Sequence, residues 1–205
     1  MVNEISGNIE DKIIAAAADE FEDKGFNGAR MQQIADKAGI NKALVHYYFR
    51  SKEKLFEKVF LIVTQRAFKK LATALSDSGS VFEKIENFFN MHQDLLWKNR
   101  NFPIFFLNEV NRNPNLIKKI FEKSELDSNI LNFIKQINEE KTQGKICKNV
   151  EPINLIVNII SLSIFPYIGE LVLTEVMQRL NSDYGTFLQQ HRQKMAQFVI
   201  NSIKV

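Results

Sequence analysis

Nine residues between positions 30 and 52 are of types that grip a nucleic acid: Arg30, Gln32, Asn41, Lys42, Ala43, Leu44, His46, Tyr47 and Lys52. A lysine donates to guanine O6 or N7, and a small apolar side chain meets a thymine methyl. Lys42, with Ala43 or Leu44 beside it, could therefore read base edges in a major groove. His46 and Tyr47 suit phosphates or sugars. Gln32 could reach a base at the edge of such a site, and Arg30 a base or a phosphate. Lys52 falls where a helix should begin, and the free N–H groups there also attract anions. Each good base contact discriminates by roughly 1–3 kcal/mol. Phosphate contacts add salt-sensitive affinity without reading sequence.

These side chains converge only if two short helices flank a tight turn. Met31, Ile34, Ala35 and Ala38 predict the first, ended by Gly39. Asn41 is a good cap for the second, whose inward side by spacing is Leu44, Val45 and Tyr48. Ahead of them, Ile9, Ile13, Ala17 and Phe21 recur every four residues and predict a helix closed by Gly25. Behind them, Ser51 caps a helix with Glu53 in its first turn and Leu55, Phe56, Val59, Phe60 and Ile62 on its inner faces. The arrangement predicted is a helix-turn-helix.

Charge points the same way. Overall, 27 Lys and Arg against 24 Asp and Glu leave only +3. Residues 30–54 alone hold six basic residues against Asp36 and Glu53, a local +4. Glu10, Asp11, Asp19, Glu20, Glu22 and Asp23 form an acidic stretch upstream, expected to face away from phosphate.

The sequence here resembles the N-terminal domain of TetR-family transcriptional regulators. The resemblance lies in Phe21-x-x-x-Gly25-Phe26, Ile34-Ala35-x-x-Ala38-Gly39-Ile40-x-Lys42 and Tyr48-Phe49-x-Ser51-Lys52-Glu53-x-Leu55, in unbroken spacing. The chain departs from that pattern at Ala29, where the family usually has Thr, and at Arg30, Asn41 and His46. The Ala29 change removes a hydroxyl that would cap the second helix or touch phosphate. The resemblance implies a DNA-binding domain over residues 1–50 and a ligand-binding and dimerisation domain over residues 51–205. It implies a regulator, of the repressor kind, that leaves a near-palindromic operator when a small, largely apolar effector binds. The implied partners are a double-stranded DNA operator, that effector and a second copy of the chain.

Beyond residue 50 every pattern is helical, so the expected fold is all-α with about nine helices. Ser80-Val-Phe-Glu83 is a capping box. Pro103 starts a short apolar segment. Asn113-Pro114 opens a longer one, with a break near Ser124 and an end at Gly144. Pro152 begins an uncharged helix that Pro166 should kink. Asp183 caps the last helix. Phe88, His92, Phe105, Phe106 and Asn108 are the candidates for an effector cavity, although aromatic side chains at helical spacing are core more often than pocket. Glu109 and Arg112, three apart, read as an ion pair on one helix. Ile156, Ile160, Phe165, Phe187, Met195 and Phe198 are the candidates for a dimer interface, because the uncharged helix is apolar nearly all round and must be covered on several sides.

Other classes fit less well. His46, His92, His191 and Cys147 show no metal-ligand spacing, and no nucleophile motif or glycine-rich phosphate loop occurs, so neither an enzyme nor a cofactor is expected. The stretch from Ile153 to Gly169 is too short and polar for a spanning helix, and no signal peptide opens the chain; a cytoplasmic protein is expected. The competing reading is a DNA-bound scaffold that recruits a protein partner without sensing a ligand.

Overall fold

The computed structural model describes residues 2–76, 78–122 and 126–205, with the side chains of 2–8, 76 and 98 left aside. Among the described residues there are eleven α-helices and no strand: α1 (Val2–Gly28), α2 (Met31–Ala38), α3 (Lys42–Phe49), α4 (Lys52–Ser76), α5 (Val81–Lys98), α6 (Phe102–Arg112), α7 (Asn115–Glu122), α8 (Leu126–Thr142), α9 (Pro152–Ile168), α10 (Glu170–Arg179) and α11 (Tyr184–Ile203). The fold is all-α, as expected. The two helices beyond nine come from the separation of α7 and α8 and from α10. Ser124, where a break is expected, lies outside the described residues.

Local signals set most boundaries. The Asn41 side chain accepts from Leu44 N at 2.8 Å and Ser51 Oγ from Lys54 N at 3.3 Å, fixing the starts of α3 and α4. At α5 the capping box is complete, with Ser80 N donating to Glu83 Oε2 at 2.7 Å and Glu83 N to Ser80 Oγ at 3.3 Å. Asp183 Oδ2 accepts from Thr186 N at 2.7 Å to start α11. Gly39 takes the left-handed conformation that ends α2. Gly25 closes the first helical run of α1, as expected: at φ 64° and ψ 178° it is not helical, and a short further stretch continues to Gly28.

Pro166 lies inside α9, where it has no N–H for the Leu162 carbonyl. His191 Nε2 on α11 meets that carbonyl instead, at 2.9 Å. Just beyond, at Gly169, the chain bends by 74° into α10. The sharp turn therefore falls three residues after the expected kink. No single described helix is long and apolar enough to cross a membrane.

The chain divides into two compact units, Met1–Arg66 with Phe105–Lys123, and Ala67–Ile104 with Ser124–Val205. The first takes in more than residues 1–50. Its core is Ile13, Ala17 and Phe21 of α1, Ile34 and Ala35 of α2, Val45 and Phe49 of α3, and Leu55, Phe56, Val59 and Phe60 of α4, with Leu116 and Ile120 of α7 also buried. The ring of Phe105 lies edge-on to Phe56, and that of Phe106 stacks on Phe60. In the second unit, one apolar cluster joins Val81, Ile85 and Phe89 of α5 to Phe133 and Ile137 of α8, Leu155 and Ile159 of α9, and Val199, Ile200 and Ile203 of α11. A smaller one gathers Leu96, Tyr167, Tyr184 and Leu188.

The Gly25 backbone lies in a region that residues with a Cβ rarely enter. Gly25→Ala should therefore destabilise the protein by about 1–3 kcal/mol, although nothing within 4 Å would meet the new methyl. A thermal unfolding midpoint equal to that of the unaltered protein would contradict this.

Candidate nucleic-acid interface

The short helix α3 has a held side and a free side. Val45 and Phe49 are buried, Leu44 and Tyr48 half-buried, and Lys42, Ala43, His46 and Tyr47 exposed. Tyr47 stands out furthest, at 67% exposure, with its ring edge-on to Tyr48 and the Arg50 guanidinium 5.9 Å from its centre. His46 Nδ1 lies 3.4 Å from the Arg50 carbonyl. On α2, Gln32 is exposed, and its Nε2 donates to Asp36 Oδ1 at 2.8 Å. Arg30 is exposed at the start of α2, where no side chain caps the helix. Ala29 is buried, so the missing threonine hydroxyl is not replaced.

Two basic residues differ from a simple surface reading. Lys52 is half-buried, with Nζ 4.7 Å from the centre of the Phe26 ring and 3.4 Å from the Asn27 carbonyl, so its ammonium is held. Lys37 bonds Glu20 Oε2 at 2.8 Å. Glu20, expected on an acidic surface, is instead fully buried, and Lys24 bonds its other oxygen at 2.8 Å. Burial opposes the charge on Glu20, but the hydrogen bonds from Lys24 and Lys37 outweigh it and hold the carboxyl below its usual range. The same pairing raises the Lys37 pKa. This carboxylate ties α1 to α2, which carries α3 behind it, and it removes Lys37 from the charges free to meet phosphate.

Arg50 is not among the nine candidates read from the sequence. It is exposed between α3 and α4 and adopts φ 63°, a conformation uncommon for a residue with a side chain. Its position directly after a reading helix was the available signal.

The five cavity candidates do not gather in one unit. Phe105 and Phe106 belong to the aromatic cluster of the first, and Asn108 is exposed there. Phe88 and His92 lie in the second, with ring centres 5.0 Å apart. His92 is buried and shares a hydrogen bond between Nδ1 and the Ser163 hydroxyl. Gln93 is fully buried; its Oε1 accepts from Tyr167 OH at 2.9 Å, while Nε2 has no partner among the described residues.

The dimer candidates also separate. Ile156 and Met195 pack against their own core, and Phe187 against the smaller cluster. Ile160, Phe165 and Phe198 are exposed. Beside them Ile153 and Val157 on α9, and Leu171, Val172 and Leu180 on and just after α10, are exposed as well. Among the described residues no group of His, Cys, Asp and Glu could hold a metal ion.

Residues 13–59 match the family described as bacterial regulatory proteins, tetR family. The HTH-type transcriptional regulator RutR of Escherichia coli (strain K12) is 50% identical over 44 residues, 22% of this chain and 21% of RutR. The chain thus matches about a fifth of RutR's length. The probable HTH-type transcriptional regulator YttP of Bacillus subtilis (strain 168) is 28% identical over 170 residues, 82% of this chain and 81% of YttP. The crystal structure of the transcriptional regulator FadR from Bacillus subtilis in complex with stearoyl-CoA shares the fold, with a TM-score of 0.60 and 20% identity over 90% of this chain and 96% of FadR.

Burial pushes the His92 imidazole down from 6.5 to about 4. An unfolded chain takes up this proton below about 6.5, and the folded one does not until about 4. Stability is therefore whole above the higher value and falls on acidification between the two, by on the order of 2–3 kcal/mol. In His92→Asn the unfolding midpoint should depend less on pH across that window. An unchanged pH dependence would contradict the buried, neutral imidazole.

Proposed function

We propose that this chain, whose residues 13–59 match the tetR family of bacterial regulatory proteins, is a transcriptional regulator of that family and acts as a homodimeric repressor in the cytoplasm. Its DNA-reading part lies within residues 1–50, and its effector and dimer functions lie in residues 51–205. One observation carries the DNA reading: α3 is anchored by Val45 and Phe49 while Lys42, Ala43, His46 and Tyr47 stay exposed beside it. Such a helix can enter a major groove without unfolding anything behind it. Lys42 and Ala43 meet base edges, with Leu44 at their side. Asn41 starts the helix and brings its free N–H groups toward phosphate. His46, Tyr47, Arg30 and Lys52 fix the register on the backbone, and Gln32 reaches the edge of the site.

The partner copy is inferred from the exposed apolar face of α9, α10 and α11. No Asp, Glu, Lys or Arg occurs from Pro152 to Gly169. Near a two-fold axis a side chain meets its own copy, so any charge there would face a like charge. An uncharged helix carrying exposed Ile153, Val157 and Ile160 suits self-pairing. Two recognition helices so paired would reach successive major grooves of a near-palindromic site.

The effector reading rests on Phe88 and His92 in the second unit, and on the buried Gln93 Nε2, which has no partner among the described residues. These offer a small, mostly apolar ligand a few polar anchors, and the stearoyl-CoA held by FadR supports an apolar effector class. A ligand that favours one state shifts the population away from the DNA-bound one, typically by about 1–3 kcal/mol of coupling.

The DNA reading is tested with a duplex that the unaltered protein selects from a random pool. Joint Lys42→Ala and Tyr47→Ala substitution should lower affinity at least about tenfold, while thermal stability changes little. Affinity equal to that of the unaltered protein would remove α3 from the interface. For the dimer, joint Ile160→Glu and Phe198→Glu should convert a two-chain species to single chains in sedimentation; a species still of two chains would place the interface elsewhere.

A further inference from the structure

Arg112, at the end of α6, is exposed, yet its guanidinium is fixed on both sides. Nε and Nη2 donate to Glu109 Oε2 at 2.8 and 2.6 Å. Glu109 is 6% exposed, so the carboxylate that holds Arg112 is itself immobilised. The other side of the guanidinium faces two aromatic rings, with Cζ 4.1 Å from the centre of Phe26 and 5.4 Å from that of Phe56. Phe26 is edge-on to Phe56 at 5.1 Å. The Phe26 ring also carries the Lys52 ammonium, at 4.7 Å. A buried acid, an arginine, one ring and a lysine thus follow one another in contact within the first unit.

We propose that Arg112 is a positioning residue for the DNA contact of Lys52, acting through the Phe26 ring. A ring attracts a cation through its negative face, so the place of the ring decides where the ammonium rests. Lys52 also makes a 3.4 Å contact to the Asn27 carbonyl. A free lysine side chain samples many rotamers and loses that freedom when it meets a phosphate. Lys52, resting on a ring that Arg112 pins, has lost much of that freedom beforehand. The segment that includes α7 adds to the same docking, since Lys119 pairs with Glu57 of α4. Nothing in the motif pattern of residues 21–55 reveals this arrangement, because Arg112 lies far beyond it in the chain.

The proposal rests on the DNA-contact reading above, and the two can fail separately. The probe is a duplex that the unaltered protein selects from a random pool, titrated over a range of salt. Lys52→Ala should lower affinity severalfold and reduce the slope of log affinity on log salt by about one unit, as expected for one lost phosphate contact. Arg112→Ala should do the same, and the double variant should lose no more than either single one, since both remove one contact. Arg112→Lys, which keeps a cation for the ring, should restore most of the slope. Phe26→Leu keeps the bulk but not the π face, so it should reproduce the loss even if Arg112→Ala folds poorly. A full slope in both Arg112→Ala and Phe26→Leu, or losses that add in the double variant, would overturn the role of Arg112. If Lys42→Ala weakens binding in that case, the DNA reading stands without it. If neither Lys42→Ala nor Lys52→Ala changes binding, both readings fall.

Discussion

A helix of eight residues does not hold its shape in water by itself, since the cost of its first turn is barely recovered over two. The helix α3, which we propose reads DNA, is such a helix. Its order must come from what it rests on, and much of the first unit serves this need. Val45 and Phe49 anchor it, the Asn41 side chain closes its first turn, and the buried Glu20 locks α2 to α1 through two lysines. A carboxylate withdrawn from water is tolerated only when paired. The lock is therefore demanding about geometry as well as stabilising.

The basic charge of this region is likewise distributed by structure. Of the six basic residues between 30 and 54, Lys37 is spent internally on Glu20 and Lys52 rests on Phe26. Arg30, Lys42, Arg50 and Lys54 stay exposed. In the second unit the logic differs. Two buried polar pairs, His92 with Ser163 and Tyr167 with Gln93, lie in its interior, and apolar side chains of α9 and α10 are exposed outside. Each feature is costly for an isolated chain, and the proposed ligand and second copy are what would offset the unpaired Gln93 Nε2 and the exposed side chains.

What was legible in the sequence was local. Asn41, Ser51, Ser80 with Glu83, and Asp183 each cap a helix within three residues, so chain spacing alone locates them. The two faces of α3 followed from helical period, with the shift that Phe49 rather than Tyr48 is fully buried. Long-range pairings were not legible. The burial of Glu20 depends on Lys37, which sits on another helix. Arg112 meets Phe26 within the first unit, although 86 positions separate them in the chain. The helix α10 was missed because Pro166 pointed to a kink, whereas the chain bends by 74° at Gly169 and starts a new helix.

On the proposed reading, paired copies of α3 occupy adjacent turns of one duplex. Footprinting on a selected duplex measures this directly. It should show two protected major-groove segments, centred about 34–36 Å apart along the helix axis, with two chains per duplex. A single protected segment with one chain per duplex, or no protection even at low salt, would contradict it.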